Sequence, residues 1–203
     1  MVSRLVFERW FDYDDFRVVK MIKGRENKKD CVQNKKTRRP MDCPTVYHLA
    51  LGANLGDRRA RLEAAVAFLQ GCGRLLKRSA IYETSPVGMP ASGLFLNMAL
   101  ALESRLSSLE LLGRCKEYEA AQGRDLKNSH YKDRPIDIDI LLAGDLVMDT
   151  PELTIPHPSL CERGFVLVPL FEIAPKLVHP LEKATVTRLL SRLKGGEKIR
   201  RLD

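Results

Sequence analysis

The sequence predicts an α+β fold in which helices pack on a largely antiparallel sheet. Two observations carry that expectation. Runs of strand period and runs of helix period mix along the chain without a strict β-α-β alternation. Strand-like runs also follow one another as hairpin-like neighbours, and such neighbours pair antiparallel with helices laid against them.

The elements follow in order from Thr45. Val46–Leu51 reads as a strand and Gly52–Gly56 as a turn. Asp57 is placed to cap a helix whose Leu62, Ala65, Val66 and Leu69 share one face, and Gly71 and Gly73 close it. A strand is expected over Leu75–Tyr82, followed by a loop rich in breakers, Thr84-Ser85-Pro86-Val87-Gly88-Met89-Pro90. Phe95–Glu103 reads as a further strand. Ser107-Ser108-Leu109-Glu110 has the capping-box pattern and opens a helix that runs to Gly123. A polar loop over 124–133 leads to Ile136–Leu142, the most strand-like run in the chain. Pro156-His157-Pro158 is a rigid turn. Helices follow over Phe165–Ile173, with Pro169 near the start or at a kink, and over Thr185–Leu193. There is no internal repeat. The layout is ferredoxin-like.

Residues 1–40 and 41–203 are different material. The chain has 203 residues and a net charge of +8, and most of that excess lies before Met41, in patches such as Lys28-Lys29 and Lys35-Lys36-Thr37-Arg38-Arg39. Residues 1–40 are expected to be a basic N-terminal extension, its second half disordered and its first half able to form a short strand or helix. Glu8, Asp12, Asp14 and Asp15 oppose a mitochondrial presequence, and no apolar region supports a secretory signal. No run approaches the roughly 18 apolar residues of a membrane span. The five cysteines include no C-x-x-C pair, which points away from disulfides and zinc and towards a reduced, cytoplasmic compartment. With most of the basic excess in the tail, nucleic acid is not an expected partner, nor is a membrane.

The sharpest chemical feature is Asp137-Ile138-Asp139. On a strand, alternate side chains share a face, so both carboxylates point one way, roughly 7 Å apart at Cα, while Ile136, Ile138 and Ile140 point into a core. Two like charges tolerate one another if a cation sits between them, and magnesium binds carboxylate oxygens while leaving positions for phosphates. A solvated outer face would show the same spacing. Arg124, Lys127 and Arg134 flank the pair, and arginine offers planar donors to phosphate. P-loop, protein-kinase and dinucleotide glycine fingerprints are all absent, so a bound nucleotide would be held another way. Asn97 in an apolar strand needs partners for its amide. Phe95 and Phe165 read equally as core.

The run Arg134-Pro135-Ile136-Asp137-Ile138-Asp139-Ile140-Leu141 resembles the signature of the 6-hydroxymethyl-7,8-dihydropterin pyrophosphokinase family. Leu51–Asp57, Tyr82–Gly88, Phe95-Leu96-Asn97, Glu119–Arg124, Ile155–Pro158 and Arg163–Leu170 resemble further segments of that family, in family order, over about residues 45–180. The resemblance implies transfer of diphosphate from ATP to the hydroxymethyl group of the dihydropterin, with AMP leaving, in folate biosynthesis. It implies ATP as co-substrate and two magnesium ions held by Asp137 and Asp139. Arg124 and Arg134 would meet the phosphates, and Thr154, His157 and Arg163 would lie on the nucleotide side. Asn97 would read the pterin edge with backbone groups near Thr84 and Val87, Phe95 and Phe165 would clamp the ring, and Asn54 and Glu119 would support the site. A monomeric pyrophosphokinase domain over 41–203 is expected, its loops at 84–94 and 124–133 closing over the substrates. The chain departs from the family pattern at Leu126, Tyr131 and Lys132-Asp133, which puts contacts of the second loop in doubt. The basic extension has no family counterpart.

Overall fold

The computed structural model describes residues 43–86, 93–124, 133–194 and 197–202; the extension over 1–40, Val87 and most of the loops at 84–94 and 124–133 lie outside them. In chain order the elements are β1 (Thr45–Ala53), α1 (Arg58–Gln70), β2 (Arg74–Arg78), β3 (Tyr82–Thr84), β4 (Phe95–Ser104), α2 (Ser108–Ala121), β5 (Asp137–Ala143), β6 (Met148–Asp149), β7 (Thr154–Ile155), α3 (Gly164–Ile173), α4 (Val186–Arg192) and β8 (Ile199–Arg201). The main sheet runs β5-β1-β4-β3-β8, with β2 also on β4, and every described pairing in it is antiparallel.

Period-2 alternation gives the sheet two apolar faces. Leu49 and Leu51 of β1, Leu96, Met98 and Leu100 of β4, and Ile138 and Ile140 of β5 form one core with Leu62, Val66 and Leu69 of α1 and Leu111 and Cys115 of α2. The opposite face carries Ala99, Ala101, Leu141 and Leu142 against Val166, Leu167 and Leu170 of α3 and Val186 and Leu189 of α4. The caps form as the sequence predicts. Asp57 accepts from the Ala60 amide at 3.0 Å, and Ser107 and Glu110 complete the capping box. No helix among the described residues is long and apolar enough to cross a membrane.

Two expectations are corrected, and two features add to the reading. The strand expected over Leu75–Tyr82 is two strands, because Ser79 leaves the ladder: its amide donates to the Ala99 carbonyl, its hydroxyl accepts from the Ala99 amide, and Ala80 N–H turns to Glu172. Gly52 and Ala53 belong to β1 rather than to the turn, since Gly52 pairs with both Asn97 and Asp137. Pro169 sits inside α3, where it offers no N–H to the Phe165 carbonyl four residues earlier. The β6–β7 hairpin and β8 were too short, and β8 too charged, to register as strands.

Candidate active site

The site lies on the α3/α4 side of the sheet, around β5. Asp139 pairs with Ala50, which packs against the α3/α4 core, so Asp137 and Asp139 emerge together on that face while Ile138 and Ile140 are sealed on the other. Asp137 is gripped from two sides: Arg124 Nη1 bonds its Oδ1 and Arg134 Nη1 its Oδ2. Arg124 also meets Glu119 Oε2 at 2.7 Å. Glu119, fully buried at the end of α2, accepts from the Ile138 amide at 2.7 Å and from Lys116 Nζ at 3.0 Å. One carboxylate therefore satisfies the outward amide of edge strand β5 and anchors the guanidinium beside Asp137.

The charge balance of this cluster is uneven. Burial raises Asp137's carboxyl, but Arg124 and Arg134 outweigh it and hold the group below the ordinary range. Burial and the neighbouring Asp137 charge push Asp139 up to about 7. Burial likewise raises Glu119. The Nε atoms of Arg124 and Arg134 are buried with no partner among the described residues. Two guanidiniums thus carry unmet donors beside two carboxylates, one of them close to neutral.

Asn54 fastens the chain entering β5. Its side-chain carbonyl accepts from the Arg134 amide at 2.7 Å, its backbone N–H donates to the Arg134 carbonyl at 3.2 Å, and its Nδ2 donates to Asp133. Asp133, a departure from the family pattern, thus has a local role.

Across the sheet, Asp137, Gly52 and Asn97 stand in one row. Strands are about 4.8 Å apart, which puts the aspartate and the asparagine about 10 Å apart at Cα. Asn97 is buried and donates to Thr84 Oγ1 at 2.8 Å. A Cβ on Gly52 would lie 3.0 Å from Asn97 Oδ1, so the amide rests directly on bare backbone. Phe95, paired with Thr84 and two residues from Asn97, is on the same face and half-buried. Phe165 is half-buried at the start of α3, with Arg163's guanidinium 5.7 Å from its ring centre. Neither phenylalanine is swallowed by a core.

His157 is tied to β5 through its amide, which donates to the Leu141 carbonyl at 2.9 Å, and its Nδ1 accepts from the Ser159 amide at 3.2 Å. That bond leaves Nε2 to carry the proton of a neutral ring, and burial with Arg163's charge lowers the ring's pKa. Thr154 stands apart: its hydroxyl is spent on Asp149 of the β6–β7 hairpin at 3.0 Å. The structure therefore brings Asn54, Glu119, Arg124, Arg134, Asp137 and Asp139 into one cluster, Thr84, Phe95 and Asn97 into a second, and Arg163 and Phe165 into a third with His157 nearby.

The sequence profile of the 7,8-dihydro-6-hydroxymethylpterin-pyrophosphokinase (HPPK) family matches residues 48–175. The chain belongs to this family. It is 45% identical over 139 residues to the 2-amino-4-hydroxy-6-hydroxymethyldihydropteridine pyrophosphokinase of Porphyromonas gingivalis, covering 66% of this chain and 94% of that one. The enzyme of the same name from Bacillus subtilis is 40% identical over 134 residues, covering 65% of this chain and 80% of that one. The folic acid synthesis protein fol1 of Schizosaccharomyces pombe is 37% identical over 150 residues, which is 73% of this chain but 20% of fol1. A crystal structure of HPPK-DHPS in complex with substrates shares the fold at TM-score 0.60 and 14% identity, over 74% of this chain and 43% of that chain. Plasmodium falciparum HPPK-DHPS with pterin and p-hydroxybenzoate gives TM-score 0.60 at 18% identity, over 73% and 43% of the two chains. As an HPPK the chain is an ATP-dependent pyrophosphokinase of folate biosynthesis that acts on the hydroxymethyldihydropterin.

Two residues of this HPPK site escape a reading of the sequence. Lys116 is legible only as a helical i,i+3 neighbour of Glu119. Gly52 reads as a turn glycine, and only the register shows that it makes room for Asn97.

Proposed function

We propose that diphosphate transfer takes place between the Asp137–Asp139 face of β5 and the Asn97 row of β4. The hydroxymethyl oxygen of the dihydropterin attacks the β-phosphorus of ATP and loses its proton. The bond from that phosphorus to the α-phosphate oxygen breaks, and AMP leaves with the bridging oxygen. Little covalent work falls to the protein; positioning and charge stabilisation dominate. The observation that carries this reading is the pairing of two same-face carboxylates with two guanidiniums whose buried Nε donors are unmet.

The donor set fits magnesium. The protein offers a pair of carboxylates, Asp137 and Asp139, on one face of β5. Magnesium bound that way takes its remaining ligands from phosphates and water. Asp137 and Asp139 would hold two ions, which would draw charge from the transferred diphosphate. Arg124 and Arg134 meet the phosphate oxygens with their guanidinium N–H groups. His157 donates from Nε2 and Arg163 adds charge on the nucleotide side; Thr154 joins them only by giving up Asp149. Asn97 reads the pterin edge with its oxygen, Thr84 holds its nitrogen, backbone groups near Thr84 and Val87 add contacts, and Phe95 and Phe165 bracket the ring. Glu119 and Asn54 keep Arg124 and Arg134 in place.

The catalytic unit spans residues 41–203, acts as a monomer, and works in the cytosol, where its cysteines stay reduced. A chain starting at Met41 should match the full chain in melting temperature and turnover. The activity is tested by following AMP release from ATP, with and without magnesium, across a panel of acceptors. Release should need both magnesium and 6-hydroxymethyl-7,8-dihydropterin. Equal release with an unrelated alcohol would refute the assignment of the Asn97 row.

A further inference from the structure

We propose that Glu197 is a positioning residue for the pterin side of the site, an inference that rests on reading Phe165 as a wall of the pterin slot. The family profile ends at residue 175, and Glu197 lies beyond it. The first turn of a helix has N–H groups without helical partners. In α3 the preceding residue, Arg163, makes no side-chain cap bond. Glu197 supplies the cap from more than thirty residues away: its Oε1 accepts from the Gly164 amide at 3.0 Å and its Oε2 from the Phe165 amide at 2.8 Å. A carboxylate at a helix N-terminus also complements the helix dipole.

The fit depends on glycine. A Cβ at position 164 would lie 2.8 Å from Glu197 Oε2 and 3.0 Å from side-chain atoms of both Leu193 and Ile199. The residues that follow Glu197 hold the opposite wall. The Lys198 carbonyl accepts from the Ser85 amide at 3.3 Å, and Ile199 pairs with Thr84. Thr84 in turn accepts from Asn97 at 2.8 Å. Three consecutive residues of the C-terminal segment therefore join the start of α3, which carries Phe165, to the β3 end that orients Asn97. Glu197 fixes the distance between the two walls without touching the ligand.

The test is equilibrium titration of wild type, Glu197→Ala, Glu197→Gln and Phe165→Ala. Each is titrated with 6-hydroxymethylpterin in the presence of magnesium and a non-hydrolysable ATP analogue, and separately with the analogue alone. Glu197→Ala should weaken pterin binding about tenfold and analogue binding less than about twofold. Glu197→Gln keeps one accepting oxygen and should weaken pterin binding about threefold, so it carries the test if the alanine variant fails to fold. Wild-type pterin affinity in a folded Glu197 variant, or equal weakening of both ligands, overturns the proposal. If Phe165→Ala weakens pterin binding while both Glu197 variants are silent, the role of Glu197 alone is lost. If Phe165→Ala is itself silent, the underlying assignment of Phe165 fails.

Discussion

On one side of β5, Ile138 and Ile140 are closed off against α1 and α2. On the other, one residue along the chain, Asp137 and Asp139 stand among guanidiniums whose bonding is incomplete. The same strand thus presents a finished surface and an unfinished one. The apolar face has nothing left to bind and stabilises the fold by burial alone. The charged face keeps two donors unmet among the described residues and a carboxyl pushed up to about 7, features that cost stability in the free protein and that the proposed cation and phosphates would relieve. On the proposed reading, binding capacity is held as unsatisfied chemistry on a strand whose opposite face is buried in the core.

Substitutions on the two faces should separate these roles. The largest effect on activity outside the aspartates is expected for Arg124→Ala, which removes the proposed phosphate donor and one of the two charges holding Asp137 ionised. Turnover should fall about 10²–10³-fold, as when a preorganised donor to developing charge is lost, measured by AMP release. Ile138→Ala tests the closed face. It should cost about 3 kcal/mol of unfolding free energy by denaturant titration, with KM values unchanged in the folded enzyme. Equal damage to KM would mean that the two faces are not separable.

A smaller effect is expected at Gly52. In Gly52→Ala the new methyl, 3.0 Å from Asn97 Oδ1, must push an amide that Thr84 holds from its other end. Pterin affinity should fall about threefold to tenfold, as for one weakened hydrogen bond, with ATP affinity and melting temperature close to wild type.

A separate signal is the pH dependence of stability without metal. Asp139 is raised from its ordinary 3.8 to about 7, so between those values the folded state holds a proton that the unfolded chain has released. Stability must then fall as pH rises through that interval. The difference between wild type and Asp139→Asn should show that fall, and magnesium with ATP should reverse it.

The parts of this account that were legible in the sequence are those set by local period and local caps. Alternation along 136–140 put the aspartates on one face and the isoleucines on the other, and Asp57 and Ser107 marked their helices. Asn97 stood out as an amide in an apolar strand. What the sequence did not disclose depends on contacts between distant segments. Ser79 divides the expected strand because its partner is Ala99. Glu119 looked like a supporting acid, yet its bond to the Ile138 amide exists only because α2 ends beside the edge of β5. The Thr154 hydroxyl turns to Asp149 across a hairpin too short to foresee from the sequence.

The central claim, that Asp137 and Asp139 act together as the cation-dependent centre of transfer, is tested most directly by titrating magnesium into wild type and Asp139→Asn while following AMP release from ATP and the dihydropterin. The substitution keeps size and shape, removes the charge and turns one acceptor oxygen into a donor. Wild-type activity should rise from near zero with magnesium and saturate. The variant should stay at least about a thousandfold lower at every magnesium concentration, as expected when a main source of charge stabilisation is lost, while its metal-free melting temperature equals or exceeds that of wild type. Wild-type turnover by the variant at limiting magnesium would contradict the account.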